Sequence, residues 1–187
     1  MMDRREAIRR TALLMGAAVS TPAIVGVLNG CTPEPGLRWM PRLMSKEQAQ
    51  MVEQMADIII PETDTPGAKE VGVPQFIDRM IHEVYTAENK ERFLAGLEKF
   101  NEDAKTEYGK VFAKLKPEQK EAFVKKMNEV ALNDRANNYF FMTVKELTVL
   151  GFFTSQVGAT QVLQHKPIPG EQRGCVPLAE VGKTWSM

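Results

Sequence analysis

From residue 45 onward, apolar residues recur at helical spacing, and the polar residues between them carry the signals that start and stop helices. Ser45 with Gln48 three residues on forms a capping box, after which Ala49, Val52, Met55, Ala56 and Ile59 line one face until Pro61 stops it. Pro74 is suited to open a second helix, whose apolar face is Ile77, Met80, Ile81 and Val84. Thr86 caps a third through Phe93, Leu94, Leu97 and Phe100, and Pro117 starts a fourth with Phe123, Val124, Met127 and Val130 inward. Asn137 or Asn138 leads into a last helix through Phe141, Val144, Leu147, Leu150 and Phe153. No stretch alternates with the two-residue period of a strand. The pattern predicts an all-α fold: one compact domain of about five helices, over residues 45–187.

Two stretches escape that pattern. Beyond Gly158 the chain runs into HKPIPGEQRGCVPLAEVGKTW, whose three prolines and three glycines forbid a regular helix. This tail is expected to be extended and to lie on something. At the other end, MMDRREAIRR is basic, residues 11–28 are uncharged and apolar, and Leu28-Asn29-Gly30-Cys31 closes the stretch like a lipoprotein box. Paired Arg4 and Arg5 ahead of an apolar segment are the address of the twin-arginine route, which exports folded proteins. Residues 1–30 then form a signal peptide, and Cys31 carries a lipid that holds the protein on the periplasmic side of a bacterial membrane. Asp3, Ala7 and Asn29 depart modestly from the usual signal. A transmembrane helix competes for the same stretch, which lies at the short end of the spanning range. Cysteine at the cleavage point and the Pro/Gly-rich linker after it, residues 31–44, favour processing. In that linker, Trp39 and Met40 have two places to go, the domain or the membrane surface.

Charge adds little. The chain's 24 Lys and Arg balance 24 Asp and Glu, and loss of the leader removes more cations than anions. A slightly acidic protein has no electrostatic footprint for nucleic acid. Lys110, Lys114, Lys116, Lys120, Lys125 and Lys126 are interleaved with Glu118, Glu121 and Glu129 and read as a solvated helix face. With Cys31 lipidated, Cys175 has no intrachain partner, so it is a buried free thiol or half of an intermolecular bridge.

A catalytic engine is not visible. His82 and His165 are the only histidines, with no second ligand at metal spacing. No haem or iron–sulfur motif occurs, and the glycines are too scattered for a dinucleotide or phosphate loop. Glu62, Asp64, Asp78 and Glu83 are close in sequence, but carboxylates in and beside loops serve turns and caps more often than acid–base chemistry.

Two segments are more deliberate. The first is Pro61-Glu62-Thr63-Asp64-Thr65-Pro66-Gly67, followed by Val71-Gly72-Val73-Pro74. Thr65-Pro66-Gly67 suits a type II turn, with proline presetting the first central dihedral and glycine accepting a left-handed second. Thr63 and Asp64 are placed to bond nearby backbone and stiffen the loop. The second is the tail, with Pro167, Pro169 and Gly170, then Cys175, then Trp185. Its Ile168, Val176, Leu178, Val181 and Trp185 have no helix to hide on and must bury against this domain or another chain.

Through IIPETDTPGA, GVP with the following Phe-Ile-Asp, LTVLGFFTSQVG and the PIPG…C…W tail, the chain resembles the small subunit, subunit 3, of gluconate 2-dehydrogenase and related membrane-bound sugar dehydrogenases. The resemblance spans residues 45–185. It implies a non-catalytic accessory subunit with no cofactor of its own. The implied partner is a large FAD-dependent oxidoreductase of the glucose–methanol–choline type, acting on CH–OH groups and exported as a passenger. A cytochrome c subunit completes the electron path in many such complexes, and the lipobox leaves its presence here open. Family and composition together make residues 61–67 and the tail the expected partner interface. Rival readings are a stand-alone periplasmic enzyme using the Glu62/Asp64 loop, and a ligand-binding or structural lipoprotein with no enzymatic partner. A yellow co-purifying chain of flavoenzyme size separates the first reading from the others.

Replacing Arg4 and Arg5 by Lys is expected to leave both this chain and its passenger in the cytoplasm. Cell fractionation reads the outcome, and a passenger still reaching the periplasm contradicts it.

Overall fold

The computed structural model describes residues 37–168, 170 and 174–186. Arg4, Arg5, Cys31 and Pro169 lie outside them. Five helices form the body: α1 Lys46–Ile59, α2 Val73–Glu83, α3 Ala87–Tyr108, α4 Pro117–Asn133 and α5 Tyr139–Phe153. The fold is all-α, and the starts of α1 to α4 each have a local cause. The Ser45 side chain accepts from the Gln48 N–H while the Gln48 side chain accepts from the Ser45 N–H, as the capping box requires. Thr86 Oγ1 caps α3 through the Asn89 N–H, and α3 ends on Gly109 with φ 70°, a left-handed stop. Proline opens α4 at its first position. α2 begins one residue before Pro74, because Gly72 at φ 84° makes the corner and leaves Val73 helical.

α5 is the axis of the bundle and packs against α1, α2, α3 and α4. Nine of its fifteen residues are buried, with Phe140, Phe141, Met142, Thr143 and Val144 consecutive. A helix covered on several sides does not carry a single apolar stripe. That explains why Thr143 and Thr148 are inside while Leu150 is exposed and Phe153 only half-buried. Thr148 donates its hydroxyl to the Val144 carbonyl, so its burial leaves no orphan group. Two more inward expectations fail. Val84 sits at the C-cap of α2 and Val130 at the rim of a groove, and both are exposed.

Six phenylalanines fill the centre. Phe100 lies 5.1 Å from Phe112, 4.9 Å from Phe123 and 5.8 Å from Phe140 between ring centroids, and Phe93 meets Phe140 edge-on at 5.0 Å. Phe141 stacks on Phe100 at 6.4 Å. Phe112 comes from a single 3-10 turn, Phe112–Lys114, whose position is set by its N–H donating to Asn101 Oδ1.

Ordered contact begins ahead of the Ser45 cap. Asp78, inside α2, is buried and accepts from the main-chain N–H groups of Arg42 (2.7 Å), Leu43 (3.2 Å) and Met44 (3.2 Å). Arg42 also pairs with Glu83, Met44 is buried, and Trp39 donates to Glu53 at 3.4 Å. Trp39 therefore lies on the domain, whereas Met40 points to solvent.

Asp78→Ala strands three N–H donors, at least one of them fully buried, and is expected to lower stability by about 3 kcal/mol. Urea unfolding measures the loss, and limited proteolysis is expected to open the chain between residues 37 and 44. Asp78→Asn keeps an acceptor and is expected to lose less.

Candidate functional site

The loop between α1 and α2 is closed by its own main chain. Ala68 N–H donates to the Ile60 carbonyl (2.9 Å), Thr63 N–H to Thr65 (3.0 Å), Val71 N–H to Gly67 (3.2 Å) and Val73 N–H to Ala68 (3.0 Å). Gly67 and Ala68 form a buried base, Thr65 and Pro66 are half-buried, and Pro61, Glu62, Thr63 and Asp64 form an exposed crest. The expected type II turn is absent: Gly67 is not among the glycines with positive φ. Its requirement is space, because a Cβ there would sit 2.6 Å from the Glu62 nitrogen and 2.9 Å from the Pro61 carbonyl carbon. Close backbone approach and left-handed geometry both select glycine, and the sequence alone does not tell them apart.

The tail leaves α5 through a tight exit. Ser155 Oγ donates to the Phe152 carbonyl and accepts from the Gly158 N–H. A Cβ on Gly158 would overlap the Phe152 carbonyl oxygen at 2.0 Å. A π turn, Gly158–Val162, follows. The chain then goes out and returns: Gln164 N–H donates to the Thr184 carbonyl (2.8 Å), Ser186 N–H to the Gln164 carbonyl (3.0 Å), and the pair forms a parallel bridge between Gln164 and Trp185. His165 Nδ1 and Ser186 Oγ, 3.1 Å apart, reinforce it. The tail is thus a loop tied at its neck. It is mostly irregular, as expected, but holds one helical turn, α6 Leu178–Val181, which its prolines and glycines do not prevent. Pro167, Gly170 and Cys175 are exposed. Ile168 is 81% exposed, Leu178 85% and Trp185 42%, while Val176 and Val181 are half-buried. Of the two destinations open to these residues, their own domain takes Val176, Val181 and Trp185 in part and leaves Ile168 and Leu178 uncovered.

The four carboxylates of residues 62–83 part company. Asp78 is committed to main-chain N–H groups and Glu83 to Arg42 and Arg79, whereas Glu62 and Asp64 stand in solvent on the crest. His82 is exposed. Among the described residues, no group of three or more His, Cys, Asp or Glu could hold a metal ion, and no helix is long and apolar enough to cross a membrane.

Two grooves were not visible in the sequence. One, of about 610 Å³, runs between α3, α4 and the start of α5, over Phe100, Phe123 and Phe140. It is spanned by the Lys126–Glu107 pair at 2.9 Å and flanked by Arg92 stacked 4.4 Å from the Tyr139 ring. The other, of about 410 Å³, lies beside the crest and is lined by Gln54, Asp57, Ile58, Pro61, Pro117, Lys120 and Glu121. Burial, followed by the nearby Glu70 charge, pushes the Asp57 carboxyl up, and burial pushes the Lys120 ammonium down. Its two walls are more than fifty residues apart in sequence, so no local motif announces it.

A family model described as gluconate 2-dehydrogenase subunit 3 matches residues 46–170. No curated protein and no solved structure matches the chain.

Gly67→Ala is expected to displace the crest from its base and to cost about 1–3 kcal/mol. Thermal unfolding measures the cost, and faster amide exchange at Thr63 and Ala68 locates it.

Proposed function

The chain belongs to the gluconate 2-dehydrogenase subunit 3 family, and from that premise we propose that it exports, stabilises and anchors a large FAD-dependent dehydrogenase acting on a sugar or sugar acid. In this reading Arg4 and Arg5 send the folded complex through the twin-arginine route. Cys31 then holds it by lipid on the periplasmic side of the membrane. The flavin belongs to the large subunit, and this chain contributes binding surface rather than chemistry.

The observation that carries the proposal is the tied tail. Ile168, Leu178 and Trp185 project from a loop whose neck is fixed by main-chain bonds, which holds apolar side chains outward at reduced entropic cost on association. Exposed tryptophan among aliphatics is the composition of an interface hot spot. The crest of residues 61–64 is rigid for the same reason, held by its buried Gly67–Ala68 base. Cys175 stands exposed in the tail, where an oxidising compartment favours a bridge to the partner.

Trp185→Ala removes the side chain and leaves the main-chain bridge. It is expected to weaken the complex about thirty-fold, the equivalent of about 2 kcal/mol, with the small subunit's unfolding midpoint nearly unchanged. Recovery of flavin-containing protein on the tagged small subunit measures it. Undiminished assembly after deletion of residues 167–187 contradicts the proposal.

A further inference from the structure

Among the described residues, three polar groups lining the smaller groove, the Gln54 side-chain oxygen, the Asp57 carboxylate and the Lys120 ammonium, have no hydrogen-bond or ion-pair partner. Gln54, Asp57 and Ile58 occupy positions i, i+3 and i+4 of α1, and Pro117, Lys120 and Glu121 hold the same spacing on α4, so one face of each helix forms a wall. Gln54 Oε1 is fully buried without a hydrogen-bond partner, a condition native proteins rarely leave unanswered. Asp57 forms no ion pair, while its neighbour Glu53 is taken by Lys69 at 3.1 Å. On the facing wall Glu121 is taken by Lys125 at 2.7 Å, and Lys120 forms no ion pair, its ammonium lying 6.0 Å from the centre of the Phe112 ring.

Asp57 and Lys120 thus share a groove without reaching each other. Both are partly withdrawn from water, and the displacement of each titration away from its ordinary value has burial as its first cause. Partly desolvated charges of opposite sign, neither in an ion pair among the described residues, gain interaction when a complementary surface arrives. Glu62 and Glu70 add negative potential on the Asp57 side, opposed by Lys69.

We propose that this groove receives a segment of the large dehydrogenase subunit carrying a guanidinium or ammonium group to Asp57 and Gln54 and a carboxylate to Lys120. The occupant is assigned to that subunit, on the reading of the previous subsection, because Pro61 belongs both to the groove and to the crest. The groove is also open, unlike the enclosing pockets that bury most of a small molecule's surface. In this arrangement the apolar tail supplies affinity, and the groove supplies partner choice and orientation.

The experiment uses the full-length complex, with Asp57→Lys and Lys120→Glu made singly and Lys126→Glu in the other groove as control. Each reversal is expected to lower affinity at least tenfold and to flatten its dependence on salt, with the control unchanged. Asp57→Asn and Lys120→Met serve if a reversal fails to fold, and a several-fold loss is expected from each. Carbon-detected NMR of Asp57 gives an independent readout: its carboxyl is expected to titrate at lower pH in the complex than in the free subunit. Unchanged affinity in the groove variants while Trp185→Ala still weakens assembly overturns the groove and leaves the accessory-subunit reading standing. An unmoved Asp57 titration, or a small molecule found in the groove of an undisturbed complex, also overturns it. A wild-type chain that captures no flavoprotein overturns the reading itself and this inference with it.

Discussion

The burial of α5 on several sides at once is the constraint to which the rest of the domain answers. Its first turns put Phe140 and Phe141 against Phe100, and each buried phenylalanine contributes about 2 kcal/mol through area alone. Close approach of two neighbouring helices depends on missing side chains. A Cβ on Gly96 of α3 would lie 2.4 Å from Phe140 Cβ, and a Cβ on Gly151 of α5 would lie 2.7 Å from the Phe76 ring of α2. Because α5 fills the centre, α1 and α4 meet only lightly at their ends. The charged groove opens there.

Asp78 performs a related task at the domain's other boundary. A buried carboxylate is costly unless hydrogen-bonded, and three consecutive main-chain N–H groups from residues 42–44 meet that need. The chain arriving from the N-terminal side is therefore joined to α2 by charge-assisted bonds, with Arg42 and Glu83 adding a second attachment. In the proposed anchored state, any pull on the lipidated end passes into the bundle at this point rather than at the first turn of α1.

What could be read in the sequence was what depends on near neighbours. Ser45 with Gln48, Thr86 and Pro117 each set a helix start through groups within a few residues, whereas of the Asn137 and Asn138 pair Asn138 stands at the start of α5 without capping it. The irregular tail was legible too, since proline and glycine deny it a long helix. The misreadings share a cause, which is distance along the chain. Gly67 needs room for the Pro61–Glu62 backbone and not a left-handed dihedral. Asp78 was one of four equivalent carboxylates until residues 42–44 folded over it. Val84, Val130 and Leu150 fit the helical period, but period says which face a residue is on and not whether another helix covers it. The neck of the tail joins residues 164 and 185 by main-chain bonds, which side-chain pattern does not encode.

Rigidity is distributed unevenly, and the distribution supports the functional reading. The deeply buried Asp78 is held by main-chain donors, and the close packing at Gly67 and Gly158 lies beneath surface loops. Each of those glycines lets the backbone fold tightly, fixing a crest of polar residues in one case and the exit of an apolar tail in the other. Fixing such segments before association lowers the conformational entropy lost on binding, by roughly 1 kcal/mol for each residue already ordered. Under the proposed function, ordered loops, an outward-facing tail and two opposite charges left unpaired among the described residues of one groove are features that a partner protein would complete.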